Sequence, residues 1–347
     1  MAKAWEIFLT QMAGATRTHK GIGFELSDTE RSQLLDSPVL TDLTELGLIK
    51  ARGRDTVDFL NGQLTGDIRE VSERQSRISG ICTPKGRLLA VFRIFQRDEA
   101  YHLSLPTELL ESTLKRLRMY VLRAQVELAE AGEDLVRFGY SGPGTEGPLR
   151  AALGGLPAKH DQSDLRHGVT VIRLRGPVPR FELCGPQTEM QALWTRLAPG
   201  ARCTDSTHWR LLDILAGVPN IFAPTVEAFV PQMVNLDLLG GISFTKGCYT
   251  GQEIVARTHY LGKLKRRMYR LRVESAGADS PLPGTPVYAP SHGPEAVGTL
   301  VDAQAAPSRT TEALAVIQVG HIGHELRLAH PEGERATLHE PPYPLEG

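Results

Sequence analysis

The sequence is poor in cysteine, balanced in charge and free of long apolar runs, and each lack removes a class of protein. Its four cysteines, Cys82, Cys184, Cys203 and Cys248, lie far apart in 347 residues. None has the CxxC or CxxH spacing of a zinc site or a local iron–sulfur loop. A set this sparse does not read as a disulfide scaffold, so a reducing compartment fits best. Lys and Arg total 39 against 40 Asp and Glu, a formal net charge of −1. No global charge therefore draws the chain toward nucleic acid or an anionic membrane. No stretch approaches a membrane span, and the N-terminus, interrupted by Glu6 and Gln11, is a poor secretory signal. The expectation is a soluble, cytoplasmic protein with no membrane partner. There is no repeat of fixed period and no low-complexity tail.

What is present is enough chain for two or three domains and an ordinary hydrophobic fraction of 41%. A strand around Leu46, Leu48 and Ile49 leads into DTVDFLNGQLTGDI, where Val57, Phe59, Leu60 and Leu64 share one side of a short helix. From Ser76 the period changes. SRISGIC and RLLAVFRIFQ read as strands joined by the turn Thr83-Pro84-Lys85-Gly86, followed by strand YHLSLP, helix ELLESTLKRLRMYVLR and strand VELAEA. This grouping predicts a small α+β unit over 52–130, inserted between 1–51 and 131–260. In the middle region VRFGYSG, VTVIRLRG and RFELCG have strand character, a Gly/Pro loop follows the first, and QTEMQALWTRLA and THWRLLDILAG read as helices. After Leu261, short strands separated by Gly, Pro and Ser predict an antiparallel barrel over 261–347, with the linker near Gly262.

The densest cluster of chemistry is LLGGISFTKGCYTGQEIVARTHYLGK. Gly240, Gly241, Gly247 and Gly251 let the backbone turn tightly, and Lys246, Gln252, Glu253 and Arg257 gather a cation, an amide, a carboxylate and a guanidinium. A helix opening at Gln252 would favour an anion at its N-terminus. By themselves these residues also fit an ordinary helix-capping loop, with Glu253 and Arg257 at the spacing of a surface ion pair. The order of residues narrows the reading. The octet KGCYTGQE, Lys246 to Glu253, resembles the K-G-C-Y-x-G-Q-E hallmark of the YgfZ family of folate-binding, iron–sulfur-related proteins. FLNGQLTGDI, CTPKGRLL and the stretch from LAGVPNI to FVPQMVNLDLLGGISFTKGC extend that resemblance over most of the chain.

The resemblance implies the α+β fold of the glycine-cleavage aminomethyltransferase. That fold has two ferredoxin-like domains, the first discontinuous, and a C-terminal antiparallel β-barrel around a central folate cavity. It also implies tetrahydrofolate or a derivative as cofactor. The pterin edge suits a carboxylate or amide and the glutamate tail suits cations. On that basis Lys246, Tyr249, Gln252, Glu253, Arg257, Asp213 and Arg87 are the expected folate-site residues, with Phe244 and Met233 as further walls. Two departures matter. The aminomethyltransferases carry an acid in the strand after the hairpin, where this chain has Ala90 and Val91, and a pterin-contacting Glu where it has Leu215. Both weigh against aminomethyl transfer or demethylation, which stay as the alternative, and toward Cys248 as a functional thiol. The implied partners are iron–sulfur assembly factors or client iron–sulfur enzymes. A role in tRNA modification stays open, and the basic run from Lys263, KLKRRMYRLR, fits RNA and an exposed strand equally. His208, His259, His292, His321 and His324 are read as structural or surface residues, with no metal site.

Overall fold

The computed structural model describes residues 2–12, 14–18, 21–131, 135–260, 262, 264–274, 280–307 and 310–345. Two β-rich runs, Val136–Ser141 and Arg180–Gly185, pair antiparallel with Phe138 opposite Leu183, and both are buried throughout. Around them forms a six-stranded sheet in the order Ser163–Arg166, Val169–Leu174, Arg180–Gly185, Val136–Ser141, Val39–Asp42, Arg202–Thr204. Chain direction explains why this sheet is interrupted. Val39–Asp42 enters it, the next 93 positions lie elsewhere, and the chain returns at Val136. Trp5 packs edge-on against Trp194 at 5.6 Å and donates from Nε1 to Asp42 Oδ1 at 2.9 Å, tying the N-terminal helix to the sheet.

One helix here replaces an expected Gly/Pro loop. Glu146–Leu153 forms despite Gly147 and Pro148 because Pro148 falls in the first turn, where backbone N–H groups have no intrahelical partner to lose. Leu149 and Leu153, four apart, bury the inner face.

The intervening segment builds a second, five-stranded antiparallel sheet. Its order is Arg77–Cys82, Leu88–Arg97, Ala100–Pro106, Leu46–Arg52, Glu127–Glu130. The helices Thr56–Gln63 and Leu110–Met119 connect its strands in a β-α-β-β-α-β sense, with Arg77–Cys82 as an added edge strand. Leu46–Arg52 is hydrogen-bonded on both sides here, so the sheet begins at Leu46, ahead of the break expected at residue 52. Apolar content could not show this, because a strand's partner is set by pairing and not by its own pattern.

The third unit is a closed six-stranded barrel: Arg266–Val273, Thr311–Gln318, Ala296–Ala305, Pro286–Tyr288, Leu326–Leu328 and Arg335–His339. Leu261 and Lys263, at the expected linker, lie outside the described residues. A shared core joins the barrel to the five-stranded sheet. Met268, Val301, Leu314 and Val316 from the barrel share one core with Leu88 and Ile81 from the sheet, Leu60 from the helix Thr56–Gln63, and Val234, Leu236, Ile242 and Val255. The segment carrying the octet is thus the packing layer between two units. Among the described residues no helix is long and apolar enough to cross a membrane.

Candidate functional site

The octet begins with a buried cation. Lys246 is 6% exposed, and its Nζ donates to the carbonyls of Asn61, Leu64 and Gly66. Those carbonyls belong to the end of the Thr56–Gln63 helix and the turn beyond it, where no intrahelical donor reaches. An ammonium has three donors, and all three are occupied. Burial pushes its pKa down to about 8, with Asp67 opposing and Arg69 adding to the shift. Lys246 therefore closes FLNGQLTGD onto the octet, with its ammonium donors directed at these carbonyls. Thr65 reinforces the same seam, donating from Oγ1 to Gly241 O at 2.6 Å while its own carbonyl accepts from Ser243 N at 2.9 Å.

A second seam joins the octet to the hairpin Thr83–Gly86. Gly251 has φ +85° and Gly86 has φ +68°, and a Cβ on Gly251 would stand 2.5 Å from Thr83 O and 3.0 Å from the Gly86 Cα. Only glycine meets both conditions, the left-handed backbone and the absent space. Gly251→Ala is expected to destabilise the chain by about 2–4 kcal/mol, combining left-handed strain with forced backbone displacement. Chemical denaturation checks it, and a loss below about 1 kcal/mol would contradict the close packing. Gln252 opens the helix Gln252–Tyr260 and turns its Oε1 back to accept from Tyr249 N at 3.3 Å, so its carbonyl end braces the loop. Tyr249 is buried beneath the Lys246 ammonium, 4.8 Å from ring centroid to Nζ. Burial pushes its phenol pKa up, and its hydroxyl has no hydrogen-bond partner.

Between these inward residues Cys248 is exposed. The other cysteines are buried or half-buried. Burial pushes the thiols of Cys82 and Cys184 up to about 12 and that of Cys203 up to about 11, which suppresses their thiolates. Beside Cys248, on the first turns of the helix, Glu253 and Arg257 are exposed and make no ion pair with each other or with any other described residue. Phe244 stacks on His259 at 3.8 Å, and Tyr260, 66% exposed, meets both edge-on.

The remaining expected site residues are held by partners outside the octet. Arg87 donates from Nη1 to Ala228 O at 2.9 Å. Asp213, on the helix Ser206–Leu215, accepts from Arg180 Nη2 at 2.7 Å and from Asn220 Nδ2 at 3.2 Å. Arg180 is 1% exposed, lies 5.1 Å over the Trp209 ring, and leaves Nη1 buried without a partner. Arg180 and Asn220 were missed from sequence because nothing in their spacing ties them to Asp213. Leu215 is half-buried at the end of the same helix, and Met233 is half-buried against the shared core. Ala90 and Val91 are buried in the core, so the hairpin strand presents no acid there. Two surface concavities, one along Glu111 to Met119 and one beside Arg74 and Gln162, share no residue with the octet or the Asp213 set.

Part of the basic run is ion-paired, while Lys265 and Arg266 are exposed. Arg267 pairs with Asp237 at 2.9 Å, and Arg270 and Arg272 both pair with the buried Glu312. Lys263 lies outside the described residues. His321 ends the short helical turn Val319–His321, His324 follows in the next turn, and the ring nitrogens of both lie near those of His292.

This arrangement of an interrupted α+β sheet, a βαββαβ sheet and a barrel is the aminomethyltransferase fold. The structure superposes on the glycine cleavage system aminomethyltransferase T from Bartonella henselae with a TM-score of 0.79 at 16% identity, covering 99% of this chain and 97% of that one. No family model matches the chain. In sequence it is similar to the tRNA-modifying protein YgfZ of Yersinia pestis (strain Pestoides F), 37% identical over 246 residues, which cover 69% of this chain and 74% of the relative. The tRNA-modifying protein YgfZ of Hamiltonella defensa subsp. Acyrthosiphon pisum (strain 5AT) is 36% identical over 230 residues, 66% of this chain and 68% of the relative. The chain belongs to the YgfZ family.

Proposed function

We propose that this protein binds a reduced folate, tetrahydrofolate or a derivative, and supports assembly or repair of iron–sulfur clusters in client enzymes through Cys248. The observation that carries the reading is the position of that thiol. It is the exposed cysteine of the four, held where three motifs lock together through Lys246 and the Gly86–Gly251 contact. A scaffold this rigid is more than a mobile surface thiol needs. One cysteine cannot hold a cluster, which takes about four thiolates or substitutes, so Cys248 acts as a ligand shared with a partner. The exposed Glu253, Ile254, Arg257 and Tyr260 beside it form the proposed contact surface for that partner.

For folate, the residues that fit are Asp213, Asn220 and Arg180. A half-buried carboxylate and amide suit the donor-rich pterin edge, and the unpartnered Arg180 Nη1 is a buried donor in search of an acceptor. Bound folate would supply a one-carbon acceptor; the chain's own part is to orient it. In the octet, Lys246 is occupied and Gln252 braces the loop, so the pterin is assigned to the Asp213 set. Asp213→Asn is expected to weaken tetrahydrofolate binding about tenfold or more, the worth of one hydrogen bond to a charged group. Glu253→Ala and Arg257→Ala should leave it unchanged. Calorimetric titration distinguishes them, and the reverse pattern would return the pterin to the octet.

Aminomethyl transfer is the competing reading, and the buried Ala90 and Val91 speak against it. Formation of methylene-tetrahydrofolate from an amine would revive it. The relatives are named tRNA-modifying proteins. Because Arg267, Arg270 and Arg272 of the basic strand are ion-paired, we assign any such role here to a client enzyme and not to direct RNA contact. The functional test is complementation of a strain lacking its family member, with iron–sulfur enzyme activities as readout.

A further inference from the structure

We propose that His292, His321 and His324 form a binding site for a divalent first-row transition metal, of the zinc class, at one end of the barrel. Two separate turns create it. His292 closes the turn Pro290–His292 between two barrel strands, and its N–H donates to Ala289 O at 2.8 Å. His321 ends the turn Val319–His321, and His324 follows three residues on, its N–H donating to His321 O at 3.1 Å. A helical turn places positions three apart on one side, so both rings face His292 across about thirty residues of sequence.

The donor nitrogens of the three rings all lie within 4.8 Å of one another. The rings do not stack. His292 stands at 89° to His321 and 71° to His324, with centroids 4.2 and 4.3 Å away. Edge-on rings leave their nitrogens free of one another's stacked faces, close enough together to share one ion. Metal–nitrogen bonds of about 2.0–2.1 Å put ligand atoms roughly 3.3 Å apart in a tetrahedral site, so small rotations of exposed rings complete the geometry. A second observation points to a missing ligand: His321 Nδ1 is shielded from solvent and has no hydrogen-bond partner. An unpaired buried polar atom of this kind calls for an explanation. Ser291 Oγ lies 3.3 Å from His292 Nδ1, which leaves the other ring nitrogen of His292 for coordination.

An all-nitrogen donor set selects zinc, nickel, cobalt or copper over magnesium or calcium, which require oxygen. Three protein ligands leave a fourth position for water or an exogenous group. The metal would cross-link two turns of the barrel, far in sequence from the octet and independent of the thiol.

The test uses the full chain, stripped with chelator and titrated with ZnCl2 by calorimetry and with CoCl2 by absorption. One equivalent per chain is expected, with the visible bands of four-coordinate cobalt and no thiolate charge-transfer band. His292→Ala and the double variant His321→Ala/His324→Ala should each weaken binding at least about tenfold, the lower bound for losing even an outer partner of a metal site. Cys248→Ser should bind as the parent does. Zinc should raise the melting temperature of the parent and not of the histidine variants, whose surface positions leave the fold intact. Absence of binding, binding indifferent to the histidine substitutions, or a thiolate band lost in Cys248→Ser would each overturn the site.

Discussion

Replacing Lys246 by methionine is expected to lower the unfolding free energy by about 3 kcal/mol or more while leaving the apolar stem in place. The side chain's value lies in its three donors, which satisfy the carbonyls of Asn61, Leu64 and Gly66. Among the described residues no other donor reaches these groups, and each buried acceptor left unpaired costs about 1–3 kcal/mol. The methionine variant therefore strands three acceptors at once. Loss of the seam would also free FLNGQLTGD from the octet, so Cys248 would lose its fixed position. Urea unfolding measures the effect directly. A change below about 1 kcal/mol would mean that the three contacts are replaceable by water.

Acidification is expected to act on a similar scale, through two histidines that the proposed function does not use. His102 is 2% exposed and His208 is 4% exposed. Burial lowers both pKa values from 6.5 to about 4, with Lys50 and Arg97 adding to the shift at His102 and Arg180 at His208. As pH falls below 6.5 the unfolded chain takes up protons that the native state refuses until about pH 4. The unfolded state binds more protons in that window, so stability falls with pH. Between about pH 7 and about pH 5 each histidine accounts for roughly 2 kcal/mol, roughly 4 together. In His102→Phe and His208→Gln variants this part of the decline should shrink accordingly. A parent whose stability is flat across that range would contradict the burial of both rings in neutral form.

How much of this could be read from the sequence depends on the range of the interaction. The hairpin strands Arg77–Cys82 and Leu88–Arg97, the helix Gln187–Leu197 and the barrel strands were legible because local period and turn residues define them. The octet identified both family and fold. Pairing was harder to read: Leu46–Arg52 looked like the end of one unit and is the first strand of the next. Side-chain direction was harder still. Lys246 and Gln252 look like ligand-binding groups in a linear motif, and only the fold shows one capping a distant helix and the other bracing its own loop. The partners of Asp213 and the gathering of His292 with His321 and His324 depend on contacts between elements whose spacing carries no signal.

The measurement that bears most directly on the account is Cys248→Ala in the complementation assay, accompanied by the purified variant's stability and tetrahydrofolate affinity. An exposed side chain contributes little to folding, so stability should stay within about 0.5 kcal/mol of the parent. Folate binding through the Asp213 set should also be unchanged. Iron–sulfur enzyme activities should remain at the level of the strain lacking the protein. Full restoration of those activities by Cys248→Ala would contradict the assignment of the thiol and leave the folded octet without its proposed purpose.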